Sequence, residues 1–153
     1  NPYYSMVKAP QGFPLDPSKW SVETVNSLST SQQDTPTQNV WYNAGSISLV
    51  VPIGLWTVWT FYNLYGYDGD GAATIKGTLS TANNSESNTR ITCGTASVPG
   101  TGIVSPSSKT DTISLSSKTT YYLNVLTINT GVNNIGFRGD RGDTIIRATC
   151  AYL

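Results

Sequence analysis

Hydrophobic and polar positions along the chain recur with a period of two, most clearly between Gly45 and Tyr67. Ile47, Leu49, Val51 and Ile53 fall on one face and Ser46 and Ser48 on the other, the signature of a half-buried antiparallel strand. Pro52 cannot donate a ladder hydrogen bond and Gly54 tolerates the angles of a tight turn, so the strand is expected to end there. A second run follows in which Leu55, Trp59, Phe61 and Tyr65 alternate with Trp56, Val58, Tyr62 and Leu64. Apolar residues on both faces predict a strand covered on both sides, deep in a sandwich or against another subunit. The two runs together read as a core hairpin.

The same reading extends to the rest of the chain. Ser18 to Val25 fits one helical turn or a short strand, and the polar stretch from Ser29 to Asn39 reads as a loop. Ala73 to Ser80 predicts a strand with Ile75, Gly77 and Leu79 facing one way, and Thr81 to Asn88 a polar loop. Further strands are expected at Thr89 to Cys93, Asp111 to Leu115, Thr120 to Ile128, Ile135 to Phe137 and Thr144 to Leu153. Gly94 to Pro106, rich in Gly, Pro and Ser, predicts a long surface loop. No helical period lasts beyond one turn. About eight short strands with frequent turns predict an all-β fold, an antiparallel β-sandwich or jelly roll. Residues 1–20 carry Pro2, Pro10, Pro14 and Pro17 without an apolar period and read as an extended arm or linker, leaving 21–153 as one domain.

Composition narrows the function. Nine basic and nine acidic side chains cancel and lie scattered, so no basic stripe points to nucleic acid. No long apolar run predicts a membrane span. Histidine is absent, which removes the Ser-His-Asp triad and the usual zinc constellations. Glu23 and Glu86 are the only glutamates and lie in polar segments, with nothing to suggest a tuned carboxylate pair. No enzyme, cofactor or metal site is therefore expected. Cys93 and Cys150 are too few for a disulfide framework, and one bridge or two buried thiols both fit. The chain opens at Asn1 with no signal-peptide pattern, which reads as a processed protein or a fragment of a longer one.

Three stretches carry a family resemblance. The alternation running into Val51-Pro52-Ile53-Gly54-Leu55-Trp56 and its aromatic strand, the turn and aromatic strand from Ser116 to Val125, and the terminal strand from Thr144 resemble the jelly-roll heads that end many bacteriophage tail fibres. Those heads are built like tumour-necrosis-factor and C1q domains. The resemblance covers about residues 40–153. It implies a receptor-binding head at the virion's tail tip: a homotrimer joined on its N-terminal side to the rest of the fibre, with aromatics at the subunit interface. Loops such as Gly94 to Pro106 would shape clefts for host cell-surface saccharide, and three weak sites on one head would gain by avidity. A structural spike or decoration domain without a ligand, a stand-alone carbohydrate-binding module and a cytokine-like ligand are the competing classes.

Among candidate sites, Trp41, Tyr42, Tyr65 and Tyr67 flank the central runs close to Asp68 and Asp70. Sugar rings stack on aromatic planes while carboxylates bind their hydroxyls, so these six residues are the expected ligand contacts, with core or interface packing as the competing role. Asp68-Gly69-Asp70-Gly71 has the first alternation of a calcium loop, but Ala72 and Ala73 break the pattern and a turn is expected. Arg138-Gly139-Asp140-Arg141-Gly142-Asp143 repeats Arg-Gly-Asp, a tripeptide that resembles the integrin-recognition motif. A bulged turn between strands, or charges pairing between subunits, is the expected role of Arg138, Asp140, Arg141 and Asp143 ahead of integrin recognition. Asn83-Asn84-Ser85 is a glycosylation sequon only in a secreting eukaryote.

Overall fold

The computed structural model describes residues 20–29, 31–96 and 102–152, so most of the predicted N-terminal arm lies outside the described residues. The architecture is all-β: two antiparallel sheets face each other across one apolar core. The described residues form ten strands: β1 (Ser21–Asn26), β2 (Ser31–Asp34), β3 (Ser48–Val51), β4 (Gly54–Tyr67), β5 (Thr74–Ser80), β6 (Cys93–Ala96), β7 (Ile103–Leu115), β8 (Thr119–Thr127), β9 (Asn134–Phe137) and β10 (Thr144–Tyr152). One sheet holds β3-β8-β5-β6, and the other is built on β4, with β7 along one edge and β10 and β9 sharing the opposite edge. β1 then pairs with β10 and β2 with β9.

The alternation in β4 divides its two faces. Trp56, Val58, Thr60, Tyr62 and Leu64 turn inward and are buried, against Leu49, Val51, Ile75, Leu79, Leu123 and Val125 of the opposing sheet. Leu55, Trp59, Phe61 and Tyr65 turn outward and are only half-buried. The expected cover on both faces is thus present on one. Tyr62, the largest fully buried side chain, donates its hydroxyl to the Ile91 carbonyl at 2.8 Å, and burial pushes its phenol far above the ordinary range.

The predicted core hairpin does not form. β3 pairs with β8 and β4 with β7, so the Pro52-Ile53 link carries the chain from one sheet to the other. Alternation fixes which face of a strand is apolar and is silent about its neighbour, which is why the two runs looked like partners. Ile53, expected on the inner face, lies in this link and is 57% exposed. Gly54 turns the corner with φ +131°, a conformation that side chains disfavour.

Other boundaries shift for similar reasons. The expected loop from Ser29 to Asn39 contains β2, a polar edge strand whose order comes from its ladder with β9 rather than from apolar burial. Thr89–Ile91 is a 3-10 turn capped by the Asn88 side chain, which accepts from the Arg90 N–H at 2.9 Å, and the strand starts only at Cys93. The predicted loop from Gly94 to Pro106 is strand at both ends, because β7 is long enough to run the full length of β4. Pro106 is tolerated there because β7 is an edge strand.

On the shared edge of β4, β10 pairs as far as Phe61 and β9 takes over at Leu64. Between them stands Asn63, whose Nδ2 donates to the carbonyls of Arg138 (2.9 Å) and Gly142 (2.6 Å) while its own carbonyl accepts from the Arg138 N–H at 3.0 Å. β1 and β2 break at the same level, and the Gly139 N–H closes the two breaks by donating to Leu28 O at 3.0 Å. Asn63 is 3% exposed, so losing its amide strands two carbonyls where water enters poorly. Asn63→Ala is expected to lower stability by about 2–3 kcal/mol in urea denaturation. A loss within about 0.5 kcal/mol, the level of an ordinary surface position, would show that the excursion holds itself.

Candidate functional site

The six residues expected to form a ligand site divide between different parts of the sandwich. Tyr42 makes an isolated bridge to Val125 of β8, packs on the core and accepts the Thr37 N–H on its phenol oxygen at 3.0 Å. Trp41 beside it is half-buried. Tyr65 and Tyr67 lie on the outward face of β4, paired with Gly136 and Asn134 of β9. Among the described residues no ring pair joins Trp41 or Tyr42 to Tyr65 or Tyr67. Asp68 is 5% exposed and spends its Oδ1 on the N–H groups of Asp70 (3.1 Å) and Gly71 (3.0 Å), a side-chain-stabilised turn. Asp70 is exposed at the tip. Among the described residues, no three His, Cys, Asp or Glu side chains converge as a metal site would need.

The tandem Arg-Gly-Asp forms the excursion between β9 and β10, with a 3-10 turn at Gly139–Arg141. Arg138 and Asp140 bind each other in a two-pronged ion pair, with Nε and Nη2 each 2.7 Å from a carboxylate oxygen. These hydrogen bonds hold the Asp140 carboxyl below the usual carboxylate range and raise the Arg138 guanidinium. Arg138 also lies over the Tyr65 ring, 4.9 Å from its centroid. Gly139 is pressed against the backbone of Asn26 and Ser27, where an added Cβ would meet atoms at 2.4 Å. The first tripeptide is therefore committed to packing within the chain. Arg141 and Asp143 are exposed.

A second region was not anticipated from the sequence. Where the edge of β7 faces β5 and β6, Lys76, Glu86, Thr89, Thr92, Cys93, Gly94, Ser107 and Lys109 line an open cleft of about 490 Å³, within the usual size range of small-ligand sites. The 3-10 turn at Thr89–Ile91 forms one end. Its neighbour Arg90 pairs with Asp111 at 3.0 Å, and Asn88 donates to the same carboxylate at 2.8 Å. The Thr92 hydroxyl donates to the Glu86 carboxylate. These residues come from four separated stretches and share no motif. The one readable signal lies in β7, where Ser107, Lys109 and Asp111 occupy the register positions that face Tyr62, Thr60 and Val58, all inward-pointing.

No protein-family model matches the chain, and no curated protein matches it. Among solved structures, it is similar to a chain in the structure of infectious bursal disease virus, Gx strain, with a TM-score of 0.32 and 10% identity. The match covers 86% of this chain and 38% of that one. The likeness is distant, and this chain spans well under half the length of that one.

Cys93 is a buried free thiol. Burial pushes the Cys93 thiol upward, outweighing the Ser107 hydrogen bond and the nearby Lys109 charge that pull it down. Because the folded value stands above the unfolded one, its contribution to stability is intact below the ordinary thiol value of 9.0 and falls as pH rises past it. Cys93 should thus react with iodoacetamide more slowly than glutathione does at neutral pH, as followed by mass spectrometry. A rate equal to or above that of glutathione would show an activated thiolate instead.

Proposed function

We propose that the chain is a recognition domain, the receptor-binding head of a phage tail fibre, which self-associates as a trimer and adsorbs to host cell-surface saccharide. It acts by binding and carries out no bond-making or bond-breaking step. The observation that carries this reading is the outward face of β4. The described elements packed most closely on β4 are its sheet partners β7, β9 and β10 and, across the core, β5, and on its outer side Leu55, Trp59, Phe61 and Tyr65 stay only half-buried. Trp59 and Phe61 stack there with ring centroids 6.2 Å apart. The registers continue the apolar band sideways, from Phe61 to Ile145 of β10 and on to Val25 of β1, itself 48% exposed. Beside it, the Arg147 guanidinium and the Glu23 carboxylate pair at 2.5 Å.

Aromatic and aliphatic surface of this kind costs free energy in water and is regained when a second copy covers it. A sheet face offers a flat, rigid patch that identical subunits can share around an axis. The family resemblance supplies the trimer and the fibre; the patch gives a place where copies would meet. Saccharide recognition follows from the same resemblance, with rigid sheets presenting polar clefts to the cell surface.

Light scattering on the purified chain is expected to give three times the monomer mass, and Phe61→Glu to give folded monomers with an unchanged circular-dichroism spectrum. A wild-type monomer would remove the fibre-head reading and leave a stand-alone carbohydrate-binding module in its place. A trimer that survives Phe61→Glu would move the interface away from this face.

A further inference from the structure

The cleft between β7 and the β5-β6 edge holds an imbalance of charge. Three charged side chains line it: Lys76, Lys109 and Glu86. Glu86 already accepts the Thr92 hydroxyl, and the neighbouring Arg90 and Asp111 neutralise each other at 3.0 Å. Among the described residues, neither lysine has a carboxylate within ion-pair distance. The placement of Lys109 is unusual for a sandwich. Its register partner Thr60 is fully buried and points into the core, so Lys109 springs from the inner face of its sheet. Two and three register steps along β7, Ile113 and Leu115 on that same face pack against the core as expected. The inner face of β7 therefore changes from apolar to polar where it overhangs the β5-β6 edge. A strand that only had to fill a core would keep its apolar residues throughout.

The remaining lining is suited to a sugar. Thr89 and Ser107 bring hydroxyl groups that can both donate and accept, as sugar hydroxyls require, and the Thr92 hydroxyl, its proton given to Glu86, can still accept. Cys93 is 7% exposed and supplies a small, weakly polar wall between them. An ammonium group on the rim of an open cleft raises the local concentration of anions and binds carboxylate, sulfate or phosphate oxygens as a point charge.

We infer that this cleft binds an acidic saccharide, one whose ring or linkage carries a carboxylate, sulfate or phosphate group, with Lys76 and Lys109 holding the anion and the Thr89, Thr92 and Ser107 hydroxyls holding the ring. The inference rests on the reading of the protein as a saccharide-recognition domain, and it is independent of how many copies assemble. It also accounts for a domain of zero formal net charge engaging an anionic surface, since the attraction is local rather than global.

The test is an NMR titration of the intact, isotope-labelled chain with a panel of uronate, sialate, sulfated and phosphodiester-linked oligosaccharides, their neutral counterparts, and inorganic phosphate. The expected result is that at least one acidic member shifts the amides of Thr92, Cys93 and Gly94 and that its neutral counterpart does not. Affinity should fall as sodium chloride is raised. Lys109→Gln and Lys76→Gln should each weaken binding by about tenfold, the loss of one charge-assisted hydrogen bond, while Lys109→Arg retains most of it. Unchanged thermal unfolding of the variants would show that the lysines act on the ligand and not on the fold. A neutral saccharide that binds with the cleft amides unmoved and the lysine variants unaffected would leave saccharide recognition standing and overturn this site. Phosphate shifting the same amides as strongly as every acidic saccharide would reduce the cleft to a simple anion site and overturn the inference. Failure of the whole panel to bind would remove the saccharide reading along with it.

Discussion

The structure depends on β4 being hydrogen-bonded along both edges at once. One edge is served by a single strand, β7, for the whole length from Gly54 to Gly66. The other is divided, with β10 ending at Phe61 and β9 beginning at Leu64. A divided edge leaves backbone groups that must find other partners, and Asn63 stands at the gap to supply them. Because β1 follows β10 and β2 follows β9, the interruption is repeated one strand further out, and Gly139 ties the two interruptions together. The Arg138 to Asp143 excursion is thus a designed break in a long strand, and its first Arg-Gly-Asp is spent on holding that break closed.

The same solution recurs wherever a loop leaves the sheets. Asn124, fully buried in β8, donates to the carbonyls of Ala82 (3.1 Å) and Ser85 (2.8 Å) and accepts the Asn84 N–H, fixing the polar loop after β5. Asn43 donates to Ile47 and Leu123 carbonyls, and Asn133 accepts the Gly69 N–H. A short amide side chain offers a donor and an acceptor with little entropy to lose, so it can stand in for a missing strand. Loops tied down in this way need no disulfide, and Cys93 remains a buried free thiol.

The inner faces of the strands were legible from alternation alone. Leu49 and Val51, and Ile75 and Leu79, lie where the period of two puts them, because burial of one face is a local requirement, whereas β4, apolar on both faces, gave no sign of which face would turn inward. Strand partners were not legible. The short Pro52-Ile53 link suits a hairpin and an inter-sheet corner equally, and only the competition among all strands decides. β2 escaped notice because Gln32 and Gln33 bury little, its order being borrowed from β9. The cleft escaped for a different reason: Lys76, Glu86, Cys93 and Lys109 are brought together by pairing between β5 and β6 and by contact of β6 with β7. Had the polar run Ser107, Lys109, Asp111 been set against the register of β4, the misplaced charge on an inner face would have stood out. Of the six aromatic and acidic residues near β4, Tyr42 bridges to β8 of one sheet while Tyr65 and Tyr67 lie on β4 of the other, a placement that closeness in sequence does not reveal.

The pairing of β1 with β10 has a consequence for how the domain comes into being. Ser21 lies opposite Thr149, so β1 cannot take its place until β10 has been made. Until then Val22, which packs on the core, and the inner face of β10's neighbour β4 have no finished sheet to enter. Closing a loop of that length costs entropy before any contact repays it, which slows folding and lengthens the time unpaired strand edges are exposed. Synthesis of such a domain is a period of risk that lasts until β10 is in place, and a cell making many copies would gain from chaperones that hold the growing chain until then.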